Sequence, residues 1–242
     1  MSKTVTPYND LSRTKKEQVE EMFDHIAHRY DFLNHLLSLG IDISWRRKAV
    51  KYIGAVQPER ILDVATGTGD FAFEALSLKP TKIIAFDLSE GMMKYGRAKA
   101  KQLKAESIVE FIKGDSERMP FENDSFDALT VGFGIRNFEN LNAGLKEMYR
   151  VVKPRARIAI LEASKPPNAI IRWFYSLYFK NIVPLIGRIV SKDSRAYSYL
   201  PESVEVFPEG LELVKILENI GFRNVKWQAL TLGACAFYSM EK

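Results

Sequence analysis

The chain has 242 residues, 46% hydrophobic and 27% charged, with a formal net charge of +5. That composition belongs to a globular protein able to bury a full core, and the mild basic excess suits an anionic partner without requiring one. One cysteine, Cys235, excludes an internal disulfide and fits a reducing compartment, and no apolar run reaches the ~20 residues of a membrane span. The opening MSKTVTPYND has no apolar leader core, so a cytoplasmic protein is expected.

Thr14-Lys15-Lys16-Glu17 has the form of a capping box, and Val19, Met22, Phe23, Ile26 and Tyr30 recur on one helical face. A helix is predicted over 14–39, with Gly40 as its stop or that of a following short helix, and a second from Trp45 to Ala55 before Pro58. Strands are then predicted at 60–65, 82–87, 108–113, 127–132 and 157–163, alternating with helices at 70–78, 90–104 and 140–152. The rhythm breaks after residue 164, in a stretch rich in aromatics. It resumes with a helix near 209–220, between Pro208 and Gly221, and two closing strands at 224–231 and 234–240. The expectation is an α/β fold, a doubly wound, mostly parallel, seven-stranded sheet. It forms one domain over 1–242: a helical cap (1–57), a cofactor-binding core (58–164), a helical lid or insertion (165–205) and a closing helix with strands (206–242).

ILDVATGTGD is the first strand and its exit, where Gly67 and Gly69 permit a tight turn and close approach of a ligand. Gly67-Thr68-Gly69-Asp70-Phe71-Ala72 satisfies the dinucleotide pattern, but Asp63 and Asp70 flank the loop with carboxylates. A pyrophosphate seeks N–H groups and positive charge, whereas a sulfonium tolerates acids. Asp87 closes the second strand, where a carboxylate can accept both ribose hydroxyls, and Asp115 with Ser116 follows the third, at the expected adenine edge. This set resembles the class I S-adenosylmethionine-dependent methyltransferases. His25, His28 and His35 lack an assembled carboxylate partner, so no metal is expected.

YDFLNHLLSLGIDISWRR (30–47), FGIRN (133–137), EMYRVVKP (147–154) and YSYLPESVEVFPEG (197–210) resemble, in order, the blocks of the menaquinone/ubiquinone biosynthesis C-methyltransferases. The resemblance runs from about residue 17 to the end. It implies S-adenosylmethionine as cofactor, with Asp63, Gly67, Thr68, Gly69, Asp87, Asp115 and Ser116 as its candidate site. It also implies methylation of a ring carbon on a polyprenylated quinol: demethylmenaquinol in the first place, the benzoquinol of ubiquinone biosynthesis as the alternative. Ring attack requires a neighbouring hydroxyl to lose its proton. Arg136 is expected to stabilise the developing phenolate and Asn137 to orient the hydroxyl or a base water. Tyr30 is expected to line the ring, and Asp31 to pair with Arg136 or take the proton.

Two departures stand out. Arg155-Ala156 replaces the family's usual two glycines after Lys153-Pro154, which predicts altered turn geometry. Gly132 stands where ubiquinone-pathway relatives carry serine, so that serine's cofactor contact is not expected here. AIIRWFYSLYFKNIVPLIGRIV (169–190) sets Trp173, Phe174, Tyr175, Tyr178 and Phe179 among Arg172, Lys180 and Arg188, with a kink at Pro184. It reads as a lid, an interfacial membrane contact or a homodimer surface. The basic residues Lys94, Arg97, Lys99, Lys101 and Lys104 raise RNA methylation as another reading, yet no RNA-binding module is appended and no nucleic-acid partner is expected. A lipid-binding protein that keeps the fold without the chemistry is a third reading, disfavoured by the complete cofactor positions.

Overall fold

The computed structural model describes residues 5–31, 38, 40–177 and 194–242, with only the backbone of 174–177 and 194–197. His35, Tyr178, Phe179, Lys180, Pro184 and Arg188 lie outside the described residues, as do the side chains of Phe174 and Tyr175.

The first helix, α1 (Lys15–Ile26), starts at the predicted capping box: Thr14 Oγ1 accepts the Glu17 N–H at 3.2 Å, and Glu17 Oε2 accepts the Thr14 N–H at 2.9 Å. It ends at Ile26 in a 3-10 turn at Ala27–Arg29; of the rest of the predicted 14–39 span, Tyr30, Asp31 and Ser38 are helical, and residues 32–37 and 39 lie outside the described residues. Helix α2 (Ile41–Ile53) begins before the predicted Trp45, because Gly40 takes a left-handed φ of +75° and launches the helix directly.

Five parallel strands follow: β1 (Arg60–Val64), β2 (Lys82–Asp87), β3 (Val109–Lys113), β4 (Phe126–Gly132) and β5 (Val152–Ala163). Between them run α3 (Asp70–Ala75), α4 (Glu90–Gln102) and α5 (Leu141–Val151). Then come α6 (Ala169–Leu177), α7 (Ser194–Val206), α8 (Leu211–Ile220), β6 (Arg223–Leu230) and β7 (Cys235–Glu241). The sheet order is β3-β2-β1-β4-β5-β7-β6, with β7 inserted antiparallel between β5 and β6. The order reverses between β1 and β4, so a crevice opens beyond their carboxyl ends.

The strands read as near-continuous apolar runs because both sheet faces are covered. Ile61, Ile83 and Ala85 pack on one side with Ala49 and Ile53 of α2, while Leu62, Phe86 and Leu129 face Leu145 and Met148 of α5 on the other. Ile61 and Leu62 are completely buried, each stabilising the fold by roughly 1.5–3 kcal/mol.

At the predicted irregular turn, Arg155 adopts φ +67°, the left-handed conformation that a glycine takes freely. Its N–H donates to the Lys242 carbonyl at 3.0 Å, and the β4–β5 register shifts between Phe126 and Ala128. The chain end thus holds in place a turn that glycine would form without strain.

Candidate active site

The exit of β1 is built around a buried carboxylate. Asp63 is fully buried, and its two oxygens accept the hydroxyls of Thr66 at 2.5 Å and Thr130 at 2.7 Å. Burial pushes its carboxyl up to about 6, against the lowering effect of those hydroxyls. The loop above it turns through left-handed residues, Ala65 (φ +52°), Gly67 (φ +57°) and Gly69 (φ +86°), closed by a 2.9 Å bond from Gly69 N–H to the Thr66 carbonyl. A Cβ on Gly69 would approach Phe73 to 2.8 Å, so the glycine is a packing requirement as well as a conformational one.

Asp87, at the end of β2, accepts the Gly67 N–H at 2.7 Å on one oxygen and the Ser89 N–H at 2.8 Å on the other. Burial raises its carboxyl, partly offset by these bonds. The carboxylate retains an acceptor position for a ligand. Asp115 pairs with Lys16 at 2.5 Å, and Ser116 stands beside it, buried.

A cleft open to solvent lies over these strand ends. Gly67, Asp87, Asp115 and Ser116 line one part of it, and Tyr30, Phe133 and Asn137 another. Of the predicted residues, Asp63, Thr68, Gly69, Asp31 and Arg136 are not on its wall. Thr68 and Asp31 meet behind the loop: the Thr68 hydroxyl donates to Asp31 at 2.5 Å, and Lys99 holds Asp31 and Asp70, each at 2.6 Å. The pairing expected between Asp31 and Arg136 is therefore corrected: Lys99 supplies the cation, because α4 carries it to the carboxylate.

Arg136 is paired with Glu162 on β5. Its Nη1 donates to Glu162 Oε1 and to the Phe133 carbonyl, both at 2.5 Å, and its backbone N–H donates to Glu162 Oε2 at 3.2 Å. The side chains are 8% and 1% exposed, and the buried Arg136 Nε has no hydrogen-bond partner among the described residues. Burial works to lower the guanidinium pKa, but Glu162, with Tyr30 and Tyr199, outweighs it and holds the value above the ordinary one. Phe133, whose carbonyl accepts from Arg136, sits at φ +59°, a conformation rare for an aromatic residue. Lys15 Nζ donates to the carbonyls of Arg136 and Phe138, each at 2.9 Å; burial and the neighbouring guanidinium lower it to about 8. Asn137 accepts from the buried Tyr199 hydroxyl at 3.1 Å.

Glu162, Tyr199 and Lys15 were not singled out in the sequence. Glu162 had a usable signal, since an acid inside the apolar strand RIAILEA demands a buried partner. The role of α1 was also legible in part. Lys16, Glu20 and Asp24 are spaced four apart and share one stripe. Lys16 meets Asp115, Glu20 meets Lys113 at 2.7 Å, and Asp24 accepts from the Ser89 hydroxyl at 2.5 Å and the Gly91 N–H at 2.8 Å. The helix is thereby laid across the strand ends, where Val19 and Phe23 join the cleft wall.

The cleft fits a nucleoside carrying a cation. Gly67 leaves open the space where a Cβ would come within 3.2 Å of Met92, and Asp87 offers acceptors. Glu20, Asp87, Asp115, Glu117 and Glu139 line it against Lys16, which favours a sulfonium over a diphosphate. Among the described residues, no group of three or more histidine, cysteine or acidic side chains is placed to hold a metal.

Sheet order, antiparallel β7 and the glycine loop at the switch point define the class: an S-adenosylmethionine-dependent methyltransferase. A solved S-adenosylmethionine-dependent methyltransferase from Thermotoga maritima, a possible histamine N-methyltransferase, shares the fold with a TM-score of 0.60 and 20% identity. The alignment covers 92% of this chain and 99% of that one. The model of the ubiE/COQ5 methyltransferase family matches residues 11–242, and the chain belongs to that family. A demethylmenaquinone methyltransferase of Bacteroides fragilis is 45% identical over 98% of this chain and 97% of its own length. A ubiquinone/menaquinone biosynthesis C-methyltransferase UbiE of Geotalea daltonii is 45% identical over 94% and 97%.

Proposed function

We propose that this methyltransferase converts demethylmenaquinol to menaquinol. The observation that carries the reading is a single cleft joining Gly67, Asp87, Asp115 and Ser116 to Tyr30, Phe133 and Asn137. The relatives named for this reaction, similar along nearly their whole length, support it. S-Adenosylmethionine, when bound, supplies an electrophilic methyl group. Asp87 holds the ribose hydroxyls, while Asp115 and Ser116 border the adenine. Asp63, Thr68 and Gly69 act behind the loop, keeping its N–H groups aligned.

The chain's task towards the quinol is to make a ring carbon nucleophilic. Asn137 reaches the ring hydroxyl from the cleft wall, and Tyr30 packs beside the ring. Arg136, adjacent to Asn137 and kept cationic by Glu162, stabilises the phenolate charge that develops as the hydroxyl proton leaves. Asp31 contributes by fixing Thr68 and Lys99. Val19, Phe23 and Phe138 exclude water, which strengthens these electrostatic terms.

The protein works as one domain at the cytoplasmic face of the membrane that holds its polyprenylated substrate. No helix among the described residues is long and apolar enough to cross a membrane. Contact is peripheral, through α6, where Ile170 and Trp173 are 69% and 59% exposed beside exposed Arg172. The test of function is an anaerobic assay with methyl-labelled S-adenosylmethionine and reduced demethylmenaquinone. Label on the naphthoquinol ring carbon is expected. Label confined to a benzoquinol offered in parallel would assign the ubiquinone-type ring instead.

A further inference from the structure

The Asn137 carboxamide can face the cleft in two ways, presenting either its N–H donors or its oxygen. Its surroundings select one. The Phe133 carbonyl, 3.4 Å from Asn137 Nδ2, is an acceptor only, so the amino group must lie on that side. Oδ1 then meets the Tyr199 hydroxyl at 3.1 Å, and that hydroxyl must donate. With one Nδ2 hydrogen directed at Phe133, the second has no partner among the described residues and can serve a ligand, and Asn137 is on the cleft wall.

We propose that Tyr199 is a positioning residue: by donating to Asn137 Oδ1 it holds the carboxamide with its N–H group available to the oxygen of the ring hydroxyl. A donor there stabilises a developing phenolate, whereas the flipped amide would favour the protonated hydroxyl and slow the reaction. This rests on the role assigned to Asn137 above. Tyr199 lies on α7, 62 residues after Asn137 in the chain, so the fold of the C-terminal region sets the hydrogen-bonding sense of the site. Among the described residues, the charged and titratable groups that face Tyr199 are Arg136 and Glu162. Burial and Glu162 push its hydroxyl up to about 12, against the lowering effect of Arg136, so the donor proton is kept at neutral pH.

The experiment is a mutant cycle of Tyr199→Phe, Asn137→Ala and the double variant in the full-length enzyme, measuring kcat, KM for the quinol and Kd for S-adenosylmethionine. Tyr199→Phe is expected to lower kcat ~10-fold or more, with KM and Kd nearly unchanged. In the Asn137→Ala background the same change should cost little more, because its effect passes through Asn137. Equal losses in both backgrounds would overturn the proposal, as would full turnover in Tyr199→Phe with Asn137→Ala impaired; the role of Asn137 would then stand. Full turnover in Asn137→Ala overturns both. Should Tyr199→Phe fail to fold, fluorinated tyrosine at position 199 keeps the hydroxyl and makes it more acidic. Its kcat should then fall at a lower alkaline pH than in the native enzyme, and an unchanged profile would refute the proposal.

Discussion

Arg136 and Glu162 are buried together, so removing one leaves the other's charge without compensation. Arg136→Ala is expected to lower kcat ~10²–10³-fold and also to destabilise the fold by ~3–5 kcal/mol. Adding Glu162→Gln should restore much of the stability and none of the turnover, as read by urea denaturation and kcat together. Turnover that returned with stability would make the arginine structural. Asp87→Ala should weaken S-adenosylmethionine binding by ~2–3 kcal/mol in calorimetry, since a charged acceptor is lost and the Gly67 N–H is released. Unchanged affinity would remove Asp87 from the cofactor site. Asp63 governs a pH effect. Its folded value of about 6 lies above its ordinary 3.8, so the folded state holds the proton more tightly. Its contribution is fully present below the unfolded value and lost as pH rises through the folded one. The stability of the native protein minus that of Asp63→Asn should fall by ~2 kcal/mol between pH 4 and 7. A constant difference would mean that Asp63 does not titrate in this range.

Among the elements, β5 carries an avoidable strain. Arg155 is exposed and held at φ +67°, at a cost of ~1–2 kcal/mol for a side-chain-bearing residue, while glycine there loses ~0.5–1 kcal/mol of unfolded-state entropy. Arg155→Gly is therefore expected to stabilise the protein by ~0.5–1 kcal/mol, visible as a higher Tm with activity unchanged. A lower Tm would show that the arginine side chain itself holds the turn. On α4, Lys99 turns inward to Asp31 and Asp70, and Arg97 pairs with Glu90 at 2.5 Å. The basic run that raised an RNA partner thus spends two of its cations within the fold.

For the whole molecule, the proposal to be tested is that the exposed face of α6 meets the bilayer that holds the substrate. Ile170→Glu with Trp173→Ser should reduce flotation with anionic vesicles and raise KM for long-tailed quinols, leaving KM for tail-less analogues unchanged. Equal flotation of native and altered protein, together with a change of oligomeric state, would assign the face to a homodimer.

The alternation of strand and helix, the glycine loop and the acids at successive strand ends were legible in the sequence, because each depends on local periodicity and turn chemistry. The capping box of α1 and the doubly wound sheet could be read for the same reason. The partners of the charged residues could not. Asp31 meets Lys99 rather than Arg136, and Arg136 meets Glu162 on a neighbouring strand, since which carboxylate reaches which cation depends on strand order and helix docking. The end of α1 at Ile26 was likewise hidden, for its apolar spacing continues past the point where the backbone tightens. The sequence by itself determined the class of fold and the placement of acidic residues at the strand ends. Tertiary structure alone decided which of those groups face the cleft and which stand behind it, because long-range packing sets burial, and burial sets charge.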